Sequence, residues 1–310
     1  MSKFTVYLNK ANENWVVDRF RDEWYQYNRK ISTNRVKKSD LIWIISPWTW
    51  MKLNKNNLEE KKVLCTLHHI DYSKFNNEEE KNFYELDQYV HSYHAVSDST
   101  KYQLENLTNK NIYSVPFWVN PKIWYPIKDK GNLRKKYGIE KDSYVVGSFQ
   151  RDTEGSDLVS PKLSKGPDQF LEIILHLRDK QPNLLILLSG KRRQYLINNL
   201  ELHKIKYKYI EMASFKKLNE LYNCLDLYIV ASRVEGGPQA IPESIMTETP
   251  ILSTNVGLAS QLLSEDSIFN MDNYQIAVPN INFSSEKITQ MKIPGGFDSF
   301  FKILKEINEN

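Results

Sequence analysis

The chain has 310 residues, of which 41% are hydrophobic and 12% aromatic, so it can bury substantial cores. This length exceeds the size at which one hydrophobic core keeps growing, which predicts two domains. Its 42 basic and 38 acidic residues leave a net charge of +4, which is too small and too dispersed to indicate nucleic acid, so we expect no nucleic-acid partner.

Cysteine usage and hydropathy bear on whether the protein is secreted, membrane-spanning or soluble. Cys65 and Cys224 each lie inside an apolar run, which is typical of small core residues and not of a disulfide framework. The chain does not open on a signal peptide, and no apolar run approaches the roughly 20 residues that span a bilayer. We therefore expect a soluble, cytoplasmic protein.

One basic stretch, RKISTNRVKK at 29–38, has two interpretations. It is typical of a solvated helix end and loop, and the alternative is a patch for anionic lipid or a polyanionic acceptor. Peripheral contact with a membrane surface therefore stays open.

In the first part of the chain, short apolar runs alternate with amphipathic stretches. The runs that predict strands are FTVYL (4–8), LIWIIS (41–46), KVLCTL (62–67), YHAVS (93–97) and NIYSVP (111–116). Strands that alternate with helical patterns predict a parallel sheet with crossover helices.

A turn-rich linker, PFWVNPKIWYPIKDKGN at 116–132, follows this series and contains three prolines. A second series of strand candidates follows it: SYVVGSF (143–149), NLLILLSG (183–190), YKYIEM (207–212), LDLYIVAS (225–232) and PILSTNV (250–256). The fold class is therefore α/β, with two Rossmann-like domains at 1–125 and 126–292 and a boundary near Tyr125.

The tail at 293–310 carries a Pro-Gly-Gly break followed by a helical pattern. One face of the predicted helix collects apolar side chains, namely Phe297, Phe300, Phe301, Leu304 and Ile307. An apolar helix face of this kind must be buried against another part of the protein. We expect this helix to cross back to the N-terminal domain, and the alternative is a cap on the second domain.

The stretch RVEGGPQAIPESIM at 233–246 lies between a predicted buried strand and a predicted helix. Ligands of open α/β sheets bind beyond such strand ends, and the amides that begin a helix attract anions. Glu243 falls in the first helical turn, where a carboxylate could accept hydrogen bonds from ribose hydroxyls, while Glu235 could approach a sugar ring. The alternative is a simple glycine turn followed by a favourable helix-start charge.

Several motifs are missing from the sequence. It has no Cys/His array with zinc spacing, no Walker-type loop, no GxGxxG and no DxD pair. We therefore predict no metal site, and a nicotinamide-dependent oxidoreductase is disfavoured.

The segment EGGPQAIPESIMTETPILSTNVG at 235–257 resembles the EGxGxxxxEAxAxGxPVVATxVG signature of family-4-type retaining glycosyltransferases with the GT-B fold. Similarity in the same order runs from about residue 96 to 260, in VSDSTKYQL, SVPFWVNPKIWYPI, LRKKYGIEKDSYVVGSFQR and FKKLNELYNCLDLYIVASRVEG. The resemblance implies parallel sheets that face a central cleft, with an acceptor-side domain at 1–125 and a nucleotide-sugar-binding domain at 126–292. It also implies transfer of a sugar from a nucleoside diphosphate donor to a carbohydrate or lipid-linked acceptor, without a cofactor.

The resemblance also implies roles for individual residues. Arg151 and Lys165 match the two cations that hold the donor diphosphate, and cations suit a developing phosphate charge in a site without metal. Glu235 matches the acid near the donor sugar, and Glu243 matches the acid on the ribose. The turn and the amides beneath the diphosphate match Gly236, Gly237, Gln239 and Ala240.

In the first domain the family has a histidine after a strand, close to the transferred sugar. The run LCTLHH offers His68 for that place, with His69 as a one-residue alternative. One departure is the polar segment DTEGSDLVSPKLS at 152–164, which separates Arg151 from Lys165 and is interpreted as an inserted loop. A non-catalytic sugar- or nucleotide-binding module of the same fold remains the alternative function.

Overall fold

The computed structural model describes residues 4–13, 16–282 and 285–309, with the backbone alone at 285 and 286. The chain divides into an N-terminal unit, residues 1–118 with 293–310, and a C-terminal unit, residues 119–292. This boundary falls before the predicted one near Tyr125, because Val119 and Trp124 are buried in the core of the C-terminal unit.

The described residues of the N-terminal unit contain nine α-helices and β-strands before the linker. They are β1 (Val6–Leu8), α1 (Val16–Tyr27), β2 (Leu41–Ile44), α2 (Lys55–Glu60), β3 (Lys62–Leu67), α3 (Asn77–Asp87), β4 (Ser92–Ala95), α4 (Asp98–Glu105) and β5 (Asn111–Ser114). Each predicted strand run overlaps one of these strands. Helix α3 shows why the helices begin where they do: the Asn76 side chain accepts hydrogen bonds from the amides of Glu78 and Glu79.

The five strands of this unit form a parallel sheet in the order β1-β2-β3-β4-β5. Val6 of β1 also pairs with Ser32, and the Val6 carbonyl accepts from the Thr33 amide while the Thr5 carbonyl accepts from Leu41. Neighbouring carbonyls in a strand point to opposite sides, so Ser32 and β2 flank β1. After β1 the chain therefore passes along one side of β1 at Ser32 and then forms β2 on the other side.

The C-terminal unit begins with α5 (Lys130–Lys136), β6 (Tyr144–Ser148), α6 (Pro167–Lys180), β7 (Leu184–Ser189), α7 (Gln194–Leu202) and β8 (Tyr207–Ile210). It continues with α8 (Phe215–Cys224), β9 (Leu227–Val230), α9 (Ala240–Met246), β10 (Ile251–Thr254), α10 (Ala259–Leu262), β11 (Ile268–Phe269) and α11 (Ser285–Thr289). Each predicted strand of the second series overlaps an observed one. Strand β11 is not predicted from the sequence, because its two residues are too few to show alternation.

The second sheet is parallel and has the order β11-β10-β9-β6-β7-β8. The chain starts in the middle at β6, moves outward to β7 and β8, and then returns to β9 on the other side of β6. The carboxyl ends of β6 and β9 therefore form a topological switch point, where open α/β sheets bind ligands.

The last helix, α12 (Asp298–Glu309), belongs to the N-terminal unit. Phe297, Phe300, Leu304 and Ile307 are buried as the apolar face predicts, whereas Phe301 is only partly buried. The Phe300 ring stacks on Trp43 of β2 with 5.1 Å between ring centroids. Aromatic burial of this kind stabilises a core by about 0.5–1.5 kcal/mol per pair beyond its area. None of the helices in the described residues is long and apolar enough to cross a membrane.

A buried polar chain crosses the N-terminal sheet from β2 to β4. The Trp43 indole N–H donates to Thr66 Oγ1 at 2.8 Å, and that oxygen lies 2.9 Å from His94 Nδ1. Burial lowers the pKa of His94 to about 3, so the ring is neutral near pH 7. His94 Nε2 lies 2.7 Å from the carbonyl of Val115, which can only accept, so Nε2 carries the single proton and Nδ1 accepts from Thr66.

The buried histidines of the N-terminal unit, His94 and His68, make the stability of the protein sensitive to acid. His94, and His68 with a pKa lowered by burial to about 4, stay unprotonated in the folded state while the unfolded chain binds protons near the ordinary value of 6.5. A depressed folded-state pKa of a histidine means that stability present above about pH 6.5 falls as pH drops toward 4. We expect the thermal midpoint to fall over this window, and to fall less in His94→Gln. A midpoint that stays constant between pH 7 and 4.5 would contradict this prediction.

Candidate functional site

The candidate site lies in the C-terminal unit at the carboxyl ends of β6 and β9. It is built from the segment after β6, the segment after β9 and the 3-10 turn Leu163–Lys165, which precedes α6. The amides of Arg233 and Val234 donate to the carbonyl of Ser164 at 2.9 and 3.0 Å. These bonds dock the 163–165 turn against the end of β9.

Gly166 makes this docking possible. It has φ of +60°, and a Cβ at this position would lie 1.7 Å from the carbonyl oxygen of Ala231. Only glycine therefore fits here, both for its conformation and for the close approach to β9. The Lys-Gly pair of the sequence thus places Lys165 at the end of β9 for a steric reason.

A second link holds the same two segments together. The Arg233 guanidinium donates to both carboxylate oxygens of Asp168 at 2.8 and 2.6 Å and to the Leu163 carbonyl at 3.0 Å. A half-exposed pair of this kind contributes little stability, but its forked geometry fixes orientation.

Lys165 and Glu235 are brought into direct contact. The Lys165 ammonium donates to Glu235 Oε1, and the two side chains are only 18% and 11% exposed. Ser232 Oγ also donates to this oxygen at 3.3 Å, and the Gln150 amide donates to the Lys165 carbonyl at 3.0 Å. A cation is therefore held at the switch point beside a carboxylate, in a partly desolvated setting where its charge acts strongly.

Glu243 lies in the first turn of α9 and is only 5% exposed. Its Oε2 accepts a hydrogen bond from the Tyr222 hydroxyl at 3.1 Å. Burial raises the pKa of Tyr222 well above its ordinary value, so the phenol stays protonated and donates. The carboxylate is thus oriented at the start of the helix by a buried tyrosine that the sequence did not single out.

The glycine turn before α9 is packed against the chain after β10. A Cβ on Gly257 would lie 2.3 Å from the Gly236 carbonyl oxygen, so the two backbones touch directly. The backbone of the Gly236-Gly237 turn, between Glu235 and α9, is therefore held in place by its contact with Gly257. Gln239 immediately precedes α9, and Ala240 is its first residue.

Arg151 follows β6 and is half-buried. Its Nε is buried without a hydrogen-bond partner among the residues that the structure describes. A buried donor of this kind costs about 1–3 kcal/mol unless a ligand or water satisfies it. The shared role of Arg151 and Lys165 on a donor diphosphate stays a prediction.

A buried ion pair, missed from the sequence, lies beneath this edge of the sheet. Arg193 is fully buried, and its Nε lies 3.1 Å from Asp152 Oδ2. The same guanidinium donates to Ser148 Oγ of β6 at 3.1 Å and to the Ser189 carbonyl of β7 at 3.3 Å. Burial raises the pKa of Asp152 to about 6, and the Arg193 charge opposes that rise.

The inserted segment 152–164 begins at this ion pair. Thr153 pairs with Pro161 across the loop, and the amides of Asp152 and Thr153 donate to the Arg192 carbonyl at 3.1 and 3.3 Å. The Arg192 guanidinium contacts the Gly155 carbonyl. The turn Gly190-Lys191-Arg192 therefore anchors the insertion at its base.

The two histidine candidates lie after β3 in the N-terminal unit. His68 Nε2 donates to the Ile45 carbonyl at 3.0 Å, and burial lowers the pKa of His68 to about 4, so its Nδ1 is an acceptor near neutral pH. His69 is exposed. Within the described residues no group of three or more His, Cys, Asp or Glu side chains could hold a metal ion.

Two parallel sheets of five and six strands, one in each unit, define an α/β protein of the GT-B class. The family model described as "Glycosyl transferases group 1" matches residues 129–292, which is more than half of the chain. The chain belongs to this family.

A curated relative and solved structures agree with this assignment. The chain is 23% identical over 156 residues to the lipopolysaccharide core biosynthesis mannosyltransferase LpsB of Rhizobium meliloti (strain 1021), and the match covers 48% of this chain and 42% of that protein. The chain thus matches less than half the length of that relative.

Among solved structures, Anabaena Alr3699/HepE in complex with UDP and glucose has a TM-score of 0.73 at 12% identity, with 99% of each chain covered. A glycosyltransferase from Rickettsia africae ESF-5 has a TM-score of 0.64 at 16% identity, with 97% of this chain and 84% of that chain covered. At these identities the likeness shows the fold, and it confirms the predicted α/β class and GT-B architecture.

Proposed function

We propose that the protein is a retaining, family-4-type glycosyltransferase that moves a sugar from a nucleoside diphosphate to an acceptor hydroxyl. The observation that carries this proposal is the Lys165–Glu235 contact at the switch point of the C-terminal sheet. A fixed cation next to a carboxylate suits a donor whose diphosphate is anionic and whose sugar carries hydroxyl groups.

Lys165 and Arg151 are proposed to bind the diphosphate. In the structure Glu235 neutralises Lys165, and the buried Arg151 Nε has no hydrogen-bond partner among the described residues. A bound diphosphate would give both cations an anionic partner. Glu235 would then turn to the hydroxyls of the transferred sugar.

Glu243 is proposed to bind the ribose. The Tyr222 hydroxyl donates to Oε2 and orients the carboxylate, which we assign as the acceptor for a ribose hydroxyl. The amides of Gln239 and Ala240, together with the Gly236-Gly237 turn, would support the diphosphate from below. In the N-terminal unit, we propose His68 and not His69 as the histidine close to the transferred sugar, because the His68 ring is held by a hydrogen bond to the Ile45 carbonyl.

The proposed reaction exchanges one bond for another on the same face of the sugar. The bond between the anomeric carbon and the leaving phosphate oxygen breaks, and a bond from the same carbon to the acceptor oxygen forms. The acceptor proton passes to the leaving phosphate, which Lys165 and Arg151 stabilise. No covalent intermediate with a side chain of the chain is required.

The comparisons indicate which donors to test first. Alr3699/HepE was solved with UDP and with UDP-glucose, and LpsB is named as a mannosyltransferase. We therefore propose a UDP-sugar as the first candidate donor and a mannosyl donor as the second. The acceptor is proposed to be a carbohydrate or a lipid-linked sugar, handled in the cytoplasm or at a membrane surface.

Donor-dependent product formation tests the proposal. The protein is incubated with UDP-glucose, UDP-N-acetylglucosamine and GDP-mannose against a panel of soluble and lipid-linked sugars, and the anomeric proton of any product is assigned by NMR. A product that retains the donor configuration supports the proposal. Nucleotide-sugar binding without product would favour the non-catalytic module, and an inverted product would contradict retention.

Replacement of Glu243 by alanine should weaken nucleotide binding. The ribose loses a charged acceptor, and a hydrogen bond to a charged group is worth about 1.5–3 kcal/mol, so we expect Kd to rise by roughly 10-fold or more. Calorimetry with the nucleotide that binds wild type checks this result, and its 2′,3′-dideoxy analogue provides the control. Equal affinity in wild type and Glu243→Ala would rule out the ribose role.

Transfer should survive chelation. The sequence has no DxD pair, and Lys165 and Arg151 are assigned the charge that a divalent ion would otherwise balance. We expect the same transfer rate without EDTA and in about 5 mM EDTA, which is in excess of contaminating metal. Activity that disappears in EDTA and returns with Mn²⁺ or Mg²⁺ would contradict this prediction.

A further inference from the structure

The sheet of the N-terminal unit has a switch point of its own. Because Ser32 and β2 lie on opposite sides of β1, the carboxyl ends of β1 and β2 form a topological switch point, the position at which open α/β sheets bind ligands. Of the residues in the proposed function, His68 lies at this edge, because its ring is held by the Ile45 carbonyl just after β2.

A buried polar network fixes the two loops that leave these strands. Asn9 is 2% exposed, and its amide donates to the Ser46 carbonyl at 2.8 Å and to Thr49 Oγ1 at 3.0 Å, while its oxygen accepts from the Ser46 amide at 3.0 Å. The Thr49 hydroxyl also lies 3.2 Å from the Lys10 carbonyl. The loop after β1 and the 3-10 helix Pro47–Lys52 are thus locked to each other.

Trp48 projects from this rigid base. Its side chain is 51% exposed, whereas the other tryptophans of the described residues are at most 4% exposed. The indole N–H donates to Glu13 Oε1 at 2.9 Å, and the ring lies 5.5 Å from the His68 ring with an interplanar angle of 55°. The indole is therefore oriented by two contacts although much of its surface stays in water.

We propose that Trp48, Glu13 and His68 form a carbohydrate site that binds a pyranose ring of the acceptor. This inference rests on the proposed transferase function. A pyranose ring has an apolar C–H face, which an exposed indole can cover, and an edge of hydroxyl groups, which need hydrogen-bond partners.

The polar partners are in place. Glu13 accepts from Trp48 through one oxygen and has a second carboxylate oxygen for a hydroxyl. His68 Nε2 is committed to the Ile45 carbonyl, so Nδ1 is the acceptor that the ring offers. An indole face beside two hydrogen-bond acceptors favours a sugar over a purely apolar ligand, which would leave both acceptors unpaired.

The test uses the full chain as wild type, Trp48→Ala, Trp48→Phe and Glu13→Gln. The matched control is Tyr102→Ala, which removes another exposed aromatic ring, 71% exposed, on α4. Each protein is applied to an array of immobilised oligosaccharides, titrated with UDP and UDP-glucose by calorimetry, and mixed with phosphatidylglycerol vesicles. Thermal midpoints verify that the exposed substitutions leave the fold intact.

We expect wild type and Tyr102→Ala to bind the same oligosaccharides, and Trp48→Ala to lose about 10-fold or more in affinity, as for a central aromatic anchor. Trp48→Phe should retain part of the binding, and nucleotide affinity should not change in any variant. The proposal is overturned if wild type binds no oligosaccharide, if Trp48→Ala binds as wild type does, or if the substitution affects only vesicle binding. Trp48-dependent sugar binding without any nucleotide binding would instead count against the transferase function and leave the sugar site standing.

Discussion

Replacement of Lys165 by alanine is expected to lower the rate of glycosyl transfer by about 100-fold or more, the usual scale for a group aimed at developing charge. The Lys165 side chain is only 18% exposed and lies at the switch point of the C-terminal sheet. Little water is therefore available there to stabilise the developing phosphate charge when the ammonium is removed. Arg151→Ala should have an effect of the same order, because the buried Nε of Arg151 lacks a hydrogen-bond partner among the described residues and is assigned to the same diphosphate.

The control for this result is Lys191→Ala, which removes an exposed lysine from the turn after β7. That variant should transfer at the wild-type rate. Lys165→Ala leaves Glu235 without its cation, so the thermal midpoint must be measured alongside the rate. Wild-type rates in both Lys165→Ala and Arg151→Ala would show that neither cation serves the diphosphate.

Replacement of Arg193 by methionine is expected to destabilise the C-terminal unit by about 3–5 kcal/mol, because it leaves the Asp152 carboxylate buried without a counter-charge. The guanidinium also satisfies Ser148 Oγ and the Ser189 carbonyl, which lose their donor. For a unit of this size such a loss lowers the thermal midpoint by on the order of 10 °C.

A double variant separates charge from packing. Asp152→Leu combined with Arg193→Met removes both charges, and replacing a whole buried pair by apolar residues is often close to neutral. We expect the double variant to recover much of the lost midpoint. A single Arg193→Met variant as stable as wild type, or a double variant less stable than the single one, would contradict this account of the pair.

The alternation of apolar runs and helical patterns was enough to predict both sheets. Each predicted strand overlaps an observed strand because parallel strands are buried on both faces and show as apolar runs, such as LLILLS at 184–189. Strand β11 escaped notice because two residues show no period. The C-terminal unit begins at Val119, before the predicted boundary near Tyr125, because Trp124 packs into its core although it lies in a proline-rich stretch that resembles a linker.

The candidate site was predictable only in part. Glu235, Glu243 and Lys165 were predicted through motifs, and the role of each stays a proposal. Arg193 was not predicted, since the run Lys191-Arg192-Arg193 suggests an exposed basic turn, and only the fold shows that its last member turns inward to Asp152. Tyr222 and Trp48 were missed for a related reason: aromatic residues in apolar surroundings look like core residues until their exposure and hydrogen bonds are known.

The most direct test of the central claim is a calorimetric and thermal titration of UDP-, GDP- and ADP-sugars into wild type, Lys165→Ala and Glu243→Ala. The account predicts that at least one nucleotide-sugar binds wild type and, at 100 times its Kd, stabilises it by about 2.7 kcal/mol. Both variants should bind that same donor at least about 10-fold more weakly, as expected when a charged hydrogen-bond partner is lost. The account is contradicted if no nucleotide-sugar binds wild type, or if one binds both variants as tightly as wild type.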